Sequence, residues 1–156
     1  VALSPNQGDL HANLGRVLCA LPNKWDEGEK AFQRAVTLSP NSGLVYQEYA
    51  IALKNSKRMD EAEKMFTRAL RIVPTLPDVY YHLGELYSGD IHTENKRVPE
   101  AIKAHTFATT LRPTYAESYM SLAMLYWSQG QLETAATLLS HSIANKPLAE
   151  AAANLG

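Results

Sequence analysis

Few residues of this chain have the types and spacing that enzyme chemistry requires. Five histidines are present and none of them shows a ligand spacing such as His-Glu-x-x-His. They are His11, His82, His92, His105 and His141. The sequence also lacks a glycine-rich phosphate loop and a Gly-x-Ser-x-Gly nucleophile motif. We therefore expect no catalytic residue, no metal ion and no cofactor within these residues.

Two further polar features favour structural roles over chemical ones. Cys19 is the only cysteine, so it excludes an internal disulfide, and we expect it to be a buried small residue. Asp26-x-x-Glu29 and Asp60-x-x-Glu63 have the spacing of capping boxes. These carboxylates therefore indicate the starts of helices and not an acid–base pair.

The overall composition is that of an ordinary soluble domain. The 156 residues are 46% hydrophobic and 20% charged, with a net charge of −1, which does not favour a nucleic acid or an acidic membrane as partner. The longest weakly charged stretch, 113–130, is too polar for a transmembrane helix. The first residues lack the pattern of a secretory signal, which favours a cytoplasmic or nuclear location.

Five prolines reveal an internal repeat. Pro5, Pro40, Pro74, Pro113 and Pro147 are separated by 35, 34, 39 and 34 residues. Proline has no amide proton and clashes with the preceding helical turn, so each one is expected to end one helix and precede the next. A period of this length is typical of helical repeat arrays, which bury their core between neighbouring units.

Each repeat contains two amphipathic stripes. Nine residues after each proline lies a large residue, and the next residue is glycine or alanine, as in Leu14-Gly15 and Leu83-Gly84. A second stripe lies eight residues before the following proline, where Phe32, Phe66 and His105 stand between small residues. Spacings of three and four place each stripe on one face of a helix. The sequence thus predicts eight helices, and His105 is expected to be a packed core residue.

The combination of large-Leu-Gly/Ala-Tyr with Ala, Phe, Ala and Pro over 34 residues resembles the tetratricopeptide repeat. The resemblance implies an all-α fold, a right-handed α-α superhelix (solenoid) of helix-turn-helix repeats. Four full repeats are predicted, with partial repeats on both sides, and the chain is interpreted as a fragment of a longer protein. The full repeats are about 6–40, 41–74, 75–113 and 114–147, and the partial ones are 1–5 and 148–156.

The chain departs from the repeat pattern at a few places. Gly28 stands where alanine is usual, and His105 stands where an aromatic residue is usual. One residue is inserted around 21–24 and five residues are inserted within 89–97, both in the turn between the two helices of a repeat. These insertions are expected to be surface loops.

The resemblance places a peptide-binding groove on the first helix of each repeat. Helical spacing selects the positions between the two packing stripes. The candidate groove residues are Asn13, Arg16, Gln47, Glu48, Ile51, Asp78, Tyr81, His82, Glu85, Glu117, Met120, Met124 and Trp127. With Asp9 and Lys54, the groove positions hold five acids and two bases, so the groove is predicted to be mildly acidic.

The partner predicted for this groove is a protein segment of basic or apolar character. Tyr81, Met120, Met124 and Trp127 form an aromatic and methionine patch of the kind that anchors peptides. The alternative is that Met124 and Trp127 pack against a neighbouring repeat. Both interpretations are open at the level of sequence.

Two specialised binding modes of the family are not supported by the residues. Co-chaperones hold a chaperone's C-terminal carboxylate with basic residues and asparagines, but the corresponding positions here include Glu48 and Asp78, which repel a carboxylate. The asparagine ladder of the glycosyltransferase that adds N-acetylglucosamine to serine and threonine is matched by Asn13 and Asn154 only.

The sequence therefore predicts a non-catalytic scaffold for protein–protein interaction, or a subunit arm of a larger assembly that binds through the 89–97 loop. The alternative is a substrate-recruiting or targeting module of an enzyme, for example a glycosyltransferase, whose catalytic domain lies outside these residues. RNA binding is a third class, and the acidic groove and the lack of a basic stripe argue against it.

Overall fold

The computed structural model describes residues 6–89 and 97–145, and every regular element in these ranges is an α-helix. In chain order the helices are α1 (Gln7–Ala20), α2 (Trp25–Leu38), α3 (Gly43–Asn55), α4 (Met59–Ile72), α5 (Pro77–Ser88), α6 (Val98–Leu111), α7 (Ala116–Ser128) and α8 (Leu132–Ala144). The chain divides into two compact units at residue 75, so that unit 1 contains α1 to α4 and unit 2 contains α5 to α8. The partial repeats expected at 1–5 and 148–156 and most of the 89–97 loop lie outside the described residues.

Consecutive helices form packed pairs, α1 with α2, α3 with α4, α5 with α6 and α7 with α8. The prolines end the second helices as predicted. Helix α2 ends two residues before Pro40, α4 ends two residues before Pro74, and α6 ends two residues before Pro113. The eight helices that the repeat pattern predicts are therefore confirmed, whereas the repeat boundaries themselves stay a prediction.

The helix starts differ from the prediction at two places. In unit 1, α1 and α3 have side-chain caps, because Asn6 accepts a hydrogen bond from the Asp9 amide (2.9 Å) and Ser42 accepts one from the Val45 amide (3.4 Å). The predicted capping boxes of α2 and α4 are wrong. Both helices begin one residue before the aspartate, at Trp25 and Met59, and have no side-chain cap hydrogen bond.

As a result, Asp26 and Asp60 lie inside the first turns of α2 and α4. Their charge still suits the positive end of the helix dipole. Helices α5 and α6 instead carry a proline, Pro77 and Pro99, in their first two positions. At these positions the amide proton has no acceptor within the helix, so its absence in proline costs no helical hydrogen bond.

In unit 1 the core is built from large rings against very small residues. Phe32 and Phe66 have no exposed surface. A Cβ atom on Gly15 would lie 2.8 Å from the Phe32 ring, and one on Gly28 would lie 2.4 Å from Cys19 Sγ. The glycine at position 28, a departure from the family pattern, is therefore the residue that makes room for the cysteine sulfur.

The packing stripe of α1 is only partly buried. Leu14 was expected to pack as its counterparts do, but it is 49% exposed, whereas Leu122 is 4% exposed. Leu122 lies on α7, which α6 covers, and no described helix precedes α1 in the chain. The exposure of the leucine at this repeat position therefore differs between α1 and α7.

In unit 2 a histidine takes the place of the phenylalanine. His105 has no exposed surface, and a Cβ atom on Gly84 would lie 2.5 to 2.6 Å from its ring. Neither ring nitrogen has a hydrogen-bond partner among the described residues. Burial lowers the pKa of His105 to about 4, so the ring is neutral at physiological pH. The core role predicted for His105 is confirmed.

Candidate functional site

The first helices of unit 1 bring several predicted groove residues into one cleft. Asn13 and Arg16 from α1 and Glu48 from α3 line a cleft of about 320 Å³. The other lining residues are Asp9, Ala12, Leu44 and Val45. Arg16 Nε lies 3.5 Å from a Glu48 carboxylate oxygen, so the only base of the cleft already has an acidic neighbour.

The other two predicted residues of unit 1 do not line this cleft. Ile51 lies in an adjoining cleft of about 570 Å³, which also contains Trp25. Gln47 is buried at 9% exposure, and its side-chain oxygen has no hydrogen-bond partner among the described residues. Its neighbour Tyr46 is also buried, so this part of α3 faces the packed interior and Gln47 has little surface to offer a ligand.

In unit 2, three predicted residues of α5 form a hydrogen-bonded group. The Tyr81 hydroxyl donates to Glu85 Oε1 (3.1 Å), and His82 Nδ1 lies 3.0 Å from Glu85 Oε2. Separations of three and four residues put these side chains on one face of the helix. Burial, helped by the charge of Glu85, raises the pKa of Tyr81 to about 12, so its hydroxyl stays protonated.

Asp78 is occupied by partners that the sequence did not predict. Arg112 donates to both carboxylate oxygens of Asp78 at 2.9 Å, and the Tyr115 hydroxyl donates to Oδ1 at 2.8 Å. The Arg112 hydrogen bonds hold the pKa of Asp78 below its usual range. Asp78 and Arg112 are 34 residues apart, one repeat period, which is the signal that links them in the sequence. Asp78 therefore joins the start of α5 to the end of α6 within one repeat through Arg112, and to the next predicted repeat through Tyr115.

The predicted residues of α7 are well exposed. Met120, Met124 and Trp127 are 48%, 54% and 56% exposed, and Glu117 is also exposed. The Glu117 carboxylate adds to the raised pKa of Tyr81, so it acts electrostatically on the α5 group. Within the described part of the chain, Met124 and Trp127 thus keep about half their surface free, although both were also considered as packing residues.

One network of unit 1 was missed by the sequence argument. Arg58 donates to Glu29 (2.9 Å) and to Glu61 (2.7 Å), and its guanidinium lies 5.4 Å from the Trp25 ring centre. The Tyr49 hydroxyl also donates to Glu29, at 3.0 Å. The network fixes Trp25 beside the turn that carries the one-residue insertion.

A cleft of about 700 Å³ in unit 1 lies outside the predicted groove positions. It lies mainly on α4. Most of its lining side chains are charged, and the others include Tyr46 and Met65. Long, solvated charged side chains are ordinary on a helix surface, so we do not assign a site to this cleft.

Among the described residues, neither a membrane-spanning helix nor a metal-binding cluster is present. No helix in these ranges has the length and apolar character needed to cross a membrane. Residues 6–89 and 97–145 also contain no group of three or more His, Cys, Asp and Glu side chains able to hold a metal ion.

Comparison with known proteins supports the repeat assignment. Models of the tetratricopeptide repeat match residues 44–75 and 116–144. Among curated proteins, no sequence matches significantly.

Solved structures match over most of the chain. A crystal structure of MamA is 21% identical, with a TM-score of 0.74, and the match covers 91% of this chain and 80% of MamA. MamA from Desulfovibrio magneticus RS-1, residues 41 to the end, is 20% identical with a TM-score of 0.72, covering 88% and 75%. PilF from Pseudomonas aeruginosa is 17% identical with a TM-score of 0.73, covering 90% and 61%.

At these identities the structures show the fold alone, and that fold is the all-α helix-turn-helix repeat class predicted from the sequence. Both repeat-model matches coincide with helix pairs of the structure, since 44–75 contains α3 and α4 almost whole and 116–144 contains α7 and α8. Residues 44–75 and 116–144 are therefore tetratricopeptide repeats by sequence as well as by fold.

Proposed function

We propose that this chain is a non-catalytic scaffold that binds a segment of a protein partner on the first helices of unit 2, α5 and α7. The family is one of protein-interaction repeats, which supports the general function. The observation that carries the specific site is the set of half-exposed side chains Met120, Met124 and Trp127 on α7. Methionine and tryptophan are favoured at binding surfaces because they bury large apolar areas against a partner.

The charges beside this patch favour a basic partner segment. Glu85 and Glu117 both act electrostatically on Tyr81, and both are acidic. Arg112 also interacts electrostatically with Glu117, but its guanidinium donates to both carboxylate oxygens of Asp78. A lysine or arginine of the partner would meet two carboxylates here, while its apolar residues cover the α7 patch.

The test begins with affinity capture by the protein and identification of the bound partner segment. The affinity of that segment is then measured by isothermal titration for Met124→Ala/Trp127→Ala. Loss of two central apolar anchors is expected to weaken binding by about tenfold or more. The matched control is Leu132→Ala/Ile143→Ala, since these α8 side chains are 61% and 72% exposed.

Equal loss in both double variants would mean that the site on α7 is wrong. The charge argument has its own measurement, because Glu85→Gln and Glu117→Gln are expected to slow association and to flatten its dependence on salt. An association rate that does not respond to either substitution would remove the preference for a basic segment.

A further inference from the structure

Helix α1 carries a row of large apolar side chains that are about half exposed. Spacings of four, three and four residues place them on one face of the helix. They are Leu10, Leu14, Val17 and Leu21, and their exposed fractions lie between 49% and 54%. Single exposed apolar residues are ordinary at a protein surface, but an aligned row of four indicates a contact surface. We call this row the α1 stripe.

Helix α8 carries a second apolar row with the same spacing of four, three and four residues. Its members are Leu132, Ala136, Leu139 and Ile143. Leu132 and Ile143 are 61% and 72% exposed, Ala136 is also exposed, and Leu139 is partly buried. We call this row the α8 stripe.

The positions of the α1 stripe are buried in other first helices. Five residues after a repeat proline stand Leu10 in α1, Val45 in α3 and Ser118 in α7. Val45 and Ser118 are 1% and 0% exposed, whereas Leu10 is 54% exposed. Helix α2 packs against α3, and α6 packs against α7. A first helix therefore buries this position where the second helix of the preceding repeat packs on it.

The α8 stripe corresponds to the other side of that contact. Four residues before a repeat proline stand Val36 in α2, Thr109 in α6 and Ile143 in α8. Val36 packs against the core cluster that contains Val45 of α3, and Thr109 is 8% exposed. Ile143 occupies the same position and is 72% exposed. The second helix thus uses this position to cover the first helix of the next repeat.

The two stripes are complementary in order as well as in character. The short connection 112–115 joins α6 to α7, and packed helices with such a connection are antiparallel. In the same arrangement Ile143 would meet Leu10, and Leu132 would meet Leu21. Because both stripes have the same spacing, the residues between these ends also meet in order.

We propose that the α8 stripe of one copy of this chain packs on the α1 stripe of a second copy, as α6 packs on α7 within unit 2. The contact is heterologous, since it joins two different surfaces. A pair of copies keeps one free stripe of each kind, so association continues into longer chains or closes into rings. The contact goes beyond the proposed function and uses none of the side chains of the α7 site.

The charged side chains beside the stripes agree with an antiparallel contact. Asp9 precedes Leu10, and His141 lies two residues before Ile143, so an acid and a base share one end of the contact. At the other end, Lys24 follows the α1 stripe and Glu133 follows Leu132. Opposite charges at each end favour this direction over the parallel one.

Sedimentation velocity of the purified chain tests the association. A contact of four side chains on each copy is small, so we expect weak association, visible between about 10 μM and 1 mM protein. The weight-average mass should rise with concentration and pass the mass of a dimer. A chain that keeps the mass of a single copy over this whole range would overturn the proposal.

One substitution in each stripe locates the contact. Leu10→Asp and Ile143→Asp each put a charge into an apolar contact, and each is expected to weaken association about tenfold or more. The matched control is Leu44→Asp, because Leu44 is 58% exposed on α3 and belongs to neither stripe. Circular dichroism of each variant checks that its helices are retained. An equal response of all three variants would contradict the assignment to the stripes.

A mixture of the two stripe variants distinguishes this contact from a symmetric one. Leu10→Asp keeps an intact α8 stripe, and Ile143→Asp keeps an intact α1 stripe. An equimolar mixture should therefore form one-to-one dimers with the affinity of the unsubstituted chain, and no larger species. Neither variant should form these dimers alone. Failure of the mixture to dimerise would mean that the contact does not join α1 to α8.

The α7 site provides the remaining comparison. Met124→Ala/Trp127→Ala should assemble as the unsubstituted chain does, and loss of assembly in this variant would place the contact on α7 and overturn the inference. Partner binding to α7 is measured separately in Ile143→Asp, in which assembly is suppressed. A partner that fails to bind there counts against the proposed function and leaves the mixing experiment unaffected.

Discussion

The same helical positions have different side chains and different partners in the two units. On α1 and α3, Arg16 and Glu48 lie 3.5 Å apart and form one wall of a cleft that becomes apolar beyond them. On α5, Glu85 instead accepts a hydrogen bond from Tyr81 of its own helix, and its other carboxylate oxygen lies 3.0 Å from His82 Nδ1. The repeat determines where a side chain stands, and the residue type at that place decides what it can bind.

The cores differ in the same way. In unit 1, Phe32 packs against Gly15, and in unit 2, His105 packs against Gly84. The two glycines are equivalent, because each lies ten residues after a repeat proline. Both rings are fully buried. Only the histidine carries buried nitrogen atoms without hydrogen-bond partners among the described residues. The ring in the core of unit 2 therefore carries an energetic cost that the ring in the core of unit 1 avoids.

The largest effect that tests this comparison comes from removing each ring. Phe32→Ala is expected to lower the free energy of unfolding by about 3 to 5 kcal/mol, because it leaves a cavity in a dry core. His105→Ala is expected to cost less, about 1 to 2 kcal/mol, because it also removes two unpartnered polar atoms. Urea unfolding followed by tryptophan fluorescence measures both, with Trp25 in unit 1 and Trp127 in unit 2.

His105→Phe provides the control for this pair. Phe32 already fits over a glycine at the equivalent position, so the phenylalanine should fit over Gly84 and raise the stability by about 1 kcal/mol. A loss of stability in His105→Phe, or equal losses in the two alanine variants, would mean that the histidine is not the costlier ring.

The second effect is acid sensitivity of unit 2. The pKa of His105 falls from 6.5 to about 4 on folding. Between these values the unfolded chain binds a proton that the folded chain does not, so stability is lost as the pH decreases from 6.5 towards 4. The full difference corresponds to roughly 3 kcal/mol. The pKa of about 4 already includes the opposing effect of the Glu85 carboxylate, which favours the charged ring.

Urea midpoints reported by Trp127 between pH 7 and pH 4.5 measure this loss, at a fixed salt concentration. In His105→Phe the loss over the same range should be clearly smaller, and what remains belongs to carboxylates such as Asp78, whose pKa is lowered on folding. An unchanged pH dependence in His105→Phe would assign the acid sensitivity to other groups.

The sequence was sufficient for the fold because the repeat signal is both local and periodic. Proline positions and small–large stripes are read directly, and they placed all eight helices. Exact helix starts were harder, since Trp25 and Met59 begin their helices one residue before the aspartates that resemble caps. When the helix starts one residue before the aspartate, the carboxylate lies in the first turn and does not cap the helix. The spacing of the residues in the sequence is the same in both cases and does not distinguish them.

The candidate site was only partly predictable, because it depends on contacts between residues that are distant in the sequence. The groove positions Arg16, Glu48 and Asp78 follow from helical spacing, but their ion pairs do not. Whether Arg112 reaches Asp78 depends on the course of the chain over one whole repeat. Likewise, the cleft that contains Ile51 is lined by Leu21 and Trp25, which stand at the turn with the inserted residue, and the repeat template contains no information on that turn.

The smallest effect separates the two kinds of ion pair. Asp78→Asn removes a doubly hydrogen-bonded contact with Arg112, where the side chains are 41% and 38% exposed, and it also weakens the bond from Tyr115. We expect a loss of about 1 kcal/mol. Glu48→Gln removes a single 3.5 Å contact with Arg16, whose side chain is 58% exposed, and we expect a loss of less than about 0.5 kcal/mol.

Thermal unfolding at low salt and at high salt compares the stability losses of the two variants. The loss caused by Asp78→Asn should shrink but persist at high salt, since half-buried hydrogen bonds are screened less than exposed charges. Equal losses in both variants would mean that the contacts of Asp78 stabilise the fold no more than the contact between Arg16 and Glu48 does, and that the two faces differ in ligand chemistry alone.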